Sequence, residues 1–306
     1  VRGLAQVFYG EVSSVGRSIV PFLPVRVATV VPFPPNGATG AYSQPPSWQH
    51  PLGTDDASND IFSKVLTALP LDLFIGTGVS GAALLIGTGL GMVAGFWDRP
   101  RSPGQAASVS IMRVTDVFLA FPSLVLDLAL AAALGRGIGA AVLAIVVTWW
   151  PYYVRLSRGE VLAVKHQPYV VAARAAGVSE VRILFRHVLR NILEPLIVYY
   201  TMDIGTVLVV FSTISFVGVS VPFTTPEWGS MVEFYESNLT TLPWTVLGPG
   251  LAIFVTVLAF SLLGDGLRDL LDPRSRRVLA QGPAAAPAAS GASSPSAAAP
   301  IGGVNA

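Results

Sequence analysis

The chain has 306 residues, of which 52% are hydrophobic and only 12% charged, with a formal net charge of +1. A soluble domain carries about 25% charged residues, so a water-soluble protein of this size is excluded and a membrane protein is expected. There is no cysteine, which rules out disulfides, thiol catalysis and thiolate metal sites and leaves the compartment open.

Taken in chain order, residues 12–34 are apolar but interrupted by Arg17, Arg26, Pro21, Pro24 and Pro32. They form either a tilted or broken first span or an interfacial segment. Residues 1–49 are thus an N-terminal segment with a possible first span, and 50–70 an external segment leading into the core. A bilayer-spanning helix needs ~20 mostly apolar residues. Residues 73–97, 137–154, 204–226 and 237–264 contain no Asp, Glu, Lys or Arg. Five spans follow, at about 71–97, 114–135, 137–157, 193–219 and 243–266, within a membrane domain of residues 71–279. The expected architecture is all-α and polytopic, with about six membrane helices if the weak first one is counted. Residues 280–306 are an Ala/Pro/Ser-rich tract without large apolar side chains, expected to be disordered.

The cations are unevenly placed. Fourteen (Arg99, Arg101, Arg113, Arg155, Arg158, Lys165, Arg174, Arg182, Arg186, Arg190, Arg268, Arg274, Arg276 and Arg277) fall on one side if the spans alternate. The other side holds Lys64 and Arg136 with Asp55, Asp56, Asp60, Glu227, Glu233 and Glu236. Positive residues stay cytoplasmic, so residues 158–191 and the C-terminus are expected inside the cell and the acidic loop Pro222–Glu236 outside. No signal peptide is expected.

The stretch "YVVAARAAGVSEVRILFRHVLRN", residues 169–191, belongs to no span. Pro168 can start a helix, small residues continue it, and Gly177 can stop it in a left-handed conformation. Ser179 reads as the N-cap of a second helix, with Glu180 near its positive end. In that helix Val181, Leu184, Phe185, Val188 and Leu189 share one face, and Arg182, Arg186 and Arg190 form a row suited to the membrane surface. Ala172, Ala173, Ala175 and Ala176 make the first helix slim enough to enter a groove on another protein. On pattern alone, an ordinary basic loop fits as well.

Other motifs carry less. "GTGVSG" (Gly76–Gly81) fits a dinucleotide-binding pattern but sits in an uncharged run, where glycines, with Gly87, Gly91 and Gly95, serve close helix packing. A P-loop needs Gly-Lys before Ser or Thr. The two lysines, in "FSKVL" and "AVKHQ", do not supply it. His50, His166 and His187 show no metal-ligand spacing and read as surface residues. Trp149, Trp150, Tyr152 and Tyr153 read as an interfacial aromatic belt. Asp127 and Asp203 lie inside apolar spans. Such carboxylates line a polar pathway or bond to a neighbouring helix, and both readings stay open; Asp116 reads as structural.

The 169–191 stretch resembles the "EAA" loop of ABC-importer permeases. With "HPLGTDDASND" (50–60), "MRVTDVFLAFPSLVLDLALAAALG" (112–135), "FRHVLRNILEPLIV" (185–198), "TPEWGSMV" (225–232) and "GDGLRDLLDPR" (264–274), the chain is similar to DppC/OppC-type permeases of dipeptide and oligopeptide importers. The resemblance implies a MetI-like type I importer fold. It also implies a cytoplasmic coupling loop, 158–191, whose helix docks on an ATPase through Val171, Ala172, Ala173, Arg174, Ala176, Gly177, Val178 and Ser179. Partners implied are a second, similar permease, two cytoplasmic ATPases that hold ATP and Mg, and an external solute-binding protein, with no nucleic acid and no cofactor in this chain. Two positions depart from the pattern: Val171 where the loop usually has glutamate, and Arg190 where it usually has proline. Peptides are the expected solutes, with oligosaccharides or nickel as alternatives. A passive channel or membrane enzyme is the rival class; clustered His, Asp or Glu at one depth, which an enzyme would need, is missing from the sequence.

Overall fold

The computed structural model describes residue 33 and residues 37–98, 102–220 and 225–271. Residues 12–34, expected as a possible first span, lie outside the described residues apart from Phe33, as does the tail 280–306. Among the described residues the elements are helical, with one isolated bridge between Thr54 and Asp60.

Asp60 caps α1 (Ile61–Phe96), accepting from the Ser63 amide at 2.8 Å. The helix therefore begins ten residues before the expected boundary, because Lys64 and Asp72, which interrupt the apolar run in the sequence, are buried inside the protein. A second expectation is also corrected. The span placed at 114–135 is two helices, α2 (Pro103–Leu119) and α3 (Ser123–Leu134), which meet at 88°. Pro122 lies at the break, where it lacks a donor and its ring disfavours helical geometry at Phe121.

Next come α4 (Ile138–Val164), α5 (Pro168–Ala175) and α6 (Glu180–Ile183). A π turn, Leu184–Val188, joins α6 to α7 (Leu189–Phe216). Among the described residues, four helical stretches are long and apolar enough to cross a bilayer, or five if the bent α2–α3 pair counts as one span. One of them runs unbroken from Glu180 to Phe216. The second helix of the 169–191 stretch is thus the entry of the following span and not a separate surface helix. The face it buries is also rotated: Ile183, Leu184 and Val188 are buried, whereas Val181 and Phe185 are exposed. The extra residue of a π turn resets the helical phase, which brings Leu184, Val188, Ile192 and Leu196 into one interior row. After α8 (Trp228–Tyr235) and a 3₁₀ turn (Glu236–Asn238), α9 (Pro243–Leu271) closes the described chain. The described residues up to Arg268 belong to one compact unit, and Asp269–Leu271 to a second.

The core is layered along the helices. One cluster (Ile61, Val65, Leu208, Trp228, Met231, Tyr235) fills the acidic end, and another (Ile75, Val79, Ile145, Trp149, Tyr153, Phe211) the middle. A third (Met92, Phe96, Val161, Val170, Ile183, Val188) fills the arginine-rich end. Helices α1 and α4 run parallel and touch through glycine. A Cβ at Gly87 would lie 2.5 Å from the Trp150 carbonyl oxygen, and one at Gly91 2.7 Å from that of Val154. In lipid, where apolar surface gives helices little reason to associate, such close backbone contact is a main source of adhesion. The packing role expected for every glycine of the region is narrower than that: a Cβ at Gly78 would meet nothing within 4 Å.

Candidate functional site

At the arginine-rich end, the end of α1 is held by two cations, Arg158 of α4 and Lys165 just after it. Lys165 Nζ donates to the carbonyls of Gly95 (2.9 Å) and Asp98 (3.2 Å), and Arg158 pairs with the Asp98 carboxylate at 2.9 Å. A positive charge at a helix C-terminus meets the negative end of the helix dipole. Nearby, Arg155 and Asp116 form an exposed pair at 2.8 Å.

Below this frame sits α5, with Pro168 at its first turn. Its end is a Schellman motif: Gly177 adopts φ +76°, its N–H donates to Arg174 O (3.0 Å), and the Val178 N–H donates to Ala173 O (3.1 Å). Glycine reaches this left-handed region without the usual steric cost. Val170 is fully buried, and Ala173 and Val178 pack on the same cluster, so one side of the helix is anchored. On the other side Val171, Ala172, Ala175, Ala176 and Gly177 are exposed. The result is a helix fixed from behind with a shallow, small-residue surface in front.

Two residues of the stretch behave differently from expectation. Arg174, expected to be available to a partner, makes a two-pronged contact with Glu180, Nε to Oε1 at 2.9 Å and a terminal nitrogen to Oε2 at 3.2 Å. It braces the α5–α6 turn. Ser179 has the extended backbone of an N-cap, but its side chain makes no capping bond.

In the middle layer, Asp127 and Asp203 are buried between helices. Asp127 of α3 accepts from the Thr148 hydroxyl of α4. Asp203 of α7 accepts from Trp149 Nε1 at 2.9 and 3.1 Å and from the Tyr153 hydroxyl at 2.8 Å. Trp149 and Tyr153 are therefore interior donors and not members of an interfacial belt. Their i, i+4 spacing on one helical face opposite a buried carboxylate was the available signal.

The acidic end is a buried polar knot. Lys64 Nζ donates to Asp55 (3.0 Å) and to the Tyr235 hydroxyl (2.7 Å), and that hydroxyl donates to Asp55 (2.7 Å). Burial alone would raise the Asp55 pKa, but the Asn59 and Tyr235 hydrogen bonds and the Lys64 charge outweigh it and hold the carboxyl below its ordinary range. His50, expected at the surface, is buried with Nδ1 2.9 Å from Asp60. The 222–236 loop is described from 225 onward, and much of it is interior. Glu227 caps α8 through the amides of Gly229 (2.8 Å) and Ser230 (2.7 Å), and burial pushes its pKa up. Glu233, Phe234 and Glu236 remain exposed.

The described residues contain no group of three or more His, Cys, Asp or Glu placed to hold a metal ion. The arrangement is that of a helical membrane body with a presented helix at one end.

Comparison with known proteins agrees with that description. Residues 87–277 match the family model of binding-protein-dependent transport system inner membrane components. The dipeptide transport system permease protein of Alkalihalophilus pseudofirmus is 38% identical over 233 residues, 76% of this chain and 75% of that protein. The glutathione transport system permease protein of Escherichia coli O6:K15:H31 is 40% identical over 237 residues, 75% of this chain and 74% of that protein. Among solved structures, that of an amino acid ABC transporter with histidines aligns with a TM-score of 0.51 at 16% identity, over 68% of this chain and 94% of that one. That likeness concerns the fold alone. With a family match over most of its length and relatives near 40% identity, the chain belongs to the binding-protein-dependent transport system inner membrane components, the multi-pass permeases of ABC transporters.

Proposed function

We propose that the chain is one of two permease subunits in an ATP-driven importer of short peptides. The arginine-rich end, with the C-terminus, lies in the cytoplasm. There α5 is the coupling helix, and two ATPase subunits that hold ATP and Mg dock on it and on its counterpart in the second permease. An external solute-binding protein delivers the peptide at the acidic end. ATP binding draws the ATPases together, the coupling helices follow, and the spans open outward; hydrolysis resets them. No covalent chemistry takes place in this chain.

One observation carries the reading. The face of α5 formed by Val171, Ala172, Ala175, Ala176 and Gly177 is exposed, while the opposite face is anchored in the core. Such a helix can be pushed without being torn loose. Valine at position 171 removes a carboxylate from that face, and Arg174 is engaged with Glu180, so docking rests on shape more than on ion pairing. The peptide class is supported by the names of the dipeptide and glutathione relatives. Val178 and Ser179 complete the turn that sets the helix's angle.

The test is Ala172→Trp in the complex co-expressed with its companion subunits and reconstituted in proteoliposomes. Because Ala172 faces outward, insertion and thermal stability should stay at wild-type levels while ATP-dependent peptide uptake is lost. Uptake at the wild-type rate would refute docking through this face. An oligosaccharide or nickel ion retained by the copurifying external protein would refute the peptide assignment alone.

A further inference from the structure

We infer that Asp203, Trp149 and Tyr153 are positioning residues that fasten α4 to α7, so that the two helices flanking the coupling segment move as a single lever. This rests on the importer reading. Helix α4 ends at Val164 and leads through a short turn into α5, and α6 with its π turn leads out of that segment into α7. Any displacement of α5 is handed to both arms.

At the arginine-rich end the arms meet through apolar side chains such as Val161, Leu184 and Val188. Apolar contact is non-directional and leaves relative sliding cheap. Register has to be set elsewhere. Asp203 supplies it, because its two oxygens accept from Trp149 at 2.9 and 3.1 Å and from Tyr153 at 2.8 Å. The three side chains are 5%, 5% and 0% exposed. One turn from Asp203 on α7, Tyr199 meets Tyr153 edge-to-face at 5.1 Å. A slip of one helical turn, about 5.4 Å along the axis, carries all three hydrogen bonds out of range, and a smaller slip stretches and tilts them. In a low-dielectric interior such bonds are strong, and leaving them unmade is expensive.

The same level holds a second fastening. Thr148, adjacent to Trp149, donates to Asp127, so α3 is tied to α4 beside the point where α7 is tied. Residues 73–97 of α1, 137–154 of α4 and 204–226 beyond Asp203 carry no charge. The contacts of Asp203 are thus to neutral donors, and directional geometry, not ion pairing, makes the joint.

The experiment uses the reconstituted complex and reads ATP hydrolysed per peptide moved. Four variants are compared with wild type: Trp149→Phe, Tyr153→Phe, Asp203→Asn and the triple Trp149→Phe/Tyr153→Phe/Asp203→Leu. Removing a buried carboxylate together with its Trp149 and Tyr153 donors is far milder for folding than removing one partner alone, so the triple variant should assemble and hydrolyse ATP. Its ATP-to-peptide ratio should rise at least about fivefold, the factor that corresponds to the net worth of one buried hydrogen bond, with smaller rises in Asp203→Asn and the two phenylalanine variants. A purely structural role would lower yield or thermal stability and leave the ratio alone. A wild-type ratio in the triple variant overturns the inference. Should the triple fail to assemble, unchanged ratios in both phenylalanine variants overturn it. A wild-type complex without ATP-dependent peptide uptake would instead sink the importer reading and the lever with it, a result separable from the others because it needs no variant.

Discussion

Gly177 offers the cleanest test of how the 168–180 segment is built. Its φ of +76° is a left-handed conformation, yet a Cβ placed there meets nothing within 4 Å. The consequence of substitution is therefore confined to the backbone. For a non-glycine residue this conformation costs roughly 1–2 kcal/mol, with asparagine toward the lower end and a β-branched residue beyond it. Two amide hydrogens report directly on the motif: Gly177 N–H on Arg174 O and Val178 N–H on Ala173 O. At RT of about 0.6 kcal/mol, Gly177→Ala should reduce their hydrogen-exchange protection by roughly 5- to 30-fold. Gly177→Asn should reduce it less and Gly177→Val more. Amides in the middle of α4 should not change, because the three-layer core is untouched. Peptide uptake in the reconstituted complex should fall in the same order, Gly, Asn, Ala, Val. Equal behaviour of asparagine and valine would show that φ is not what matters. Unchanged protection in the valine variant would show that the turn does not hold α5 in place.

The other predictions concern the frame. Lys64→Met takes the cation away from buried Asp55, which keeps its hydrogen bonds from Asn59 and Tyr235, so it should cost about 1.5–3 kcal/mol, read as a fall in the midpoint of thermal unfolding in detergent. Gly91→Ala forces a Cβ to 2.7 Å from the Val154 carbonyl, and such overpacking should cost about 1–3 kcal/mol by the same measurement. The pH dependence should have two limbs of opposite sign. Asp55 has a folded pKa below its unfolded value, so its contribution is present above the ordinary carboxylate range and is lost as pH falls through the folded value; Asp55→Asn should flatten the acid limb. Glu227 has a folded pKa above its unfolded value, so its contribution is full below the ordinary range and is lost as pH rises through the folded value. Glu227→Gln should reduce that second loss. A single limb unaffected by either substitution would contradict both assignments.

Much of the membrane body was legible because hydropathy and charge are one-dimensional signals. Uncharged runs marked four of the long helices, and Pro168 and Gly177 marked both ends of α5. The reading failed where a charge was cancelled by a partner distant in sequence. Lys64 and Asp72 looked like the edge of a span; in the fold Lys64 reaches Tyr235, 171 positions away, and Asp72 accepts from the Trp228 amide. It failed again where polarity was ambiguous. Tryptophan and tyrosine serve equally at a bilayer interface or as buried donors, and only the arrival of Asp203 from α7 decides between them. The break at Pro122 carried a signal, but hydropathy runs through it unchanged and outweighed it. The π turn at Leu184–Val188 has no signature in residue type; its effect appears only in which of Val181 and Val188 is inside.

These failures share a cause that bears on how such a body holds together. In water the burial of apolar surface chooses the contacts between helices; in lipid it does not, and close backbone approach and polar bonds choose them instead. The described helices follow that rule unequally. Helix α1 has the glycine contacts and the Lys64, Asp72 and Lys165 bonds, α4 has Thr148, Trp149 and Tyr153, and α7 has Asp203; in the spans they form, 44–56% of the most apolar stretch is buried. Helix α9 has none of these polar ties in its apolar stretch, which is 11% buried, and Leu251, Phe254, Leu258 and Leu262 all point outward. Its hydropathy is the highest of the four. The strongest membrane signal in the sequence therefore belongs to the helix that contributes least to the interior, and the helices that build the interior are those whose signal is diluted by the polar residues that join them.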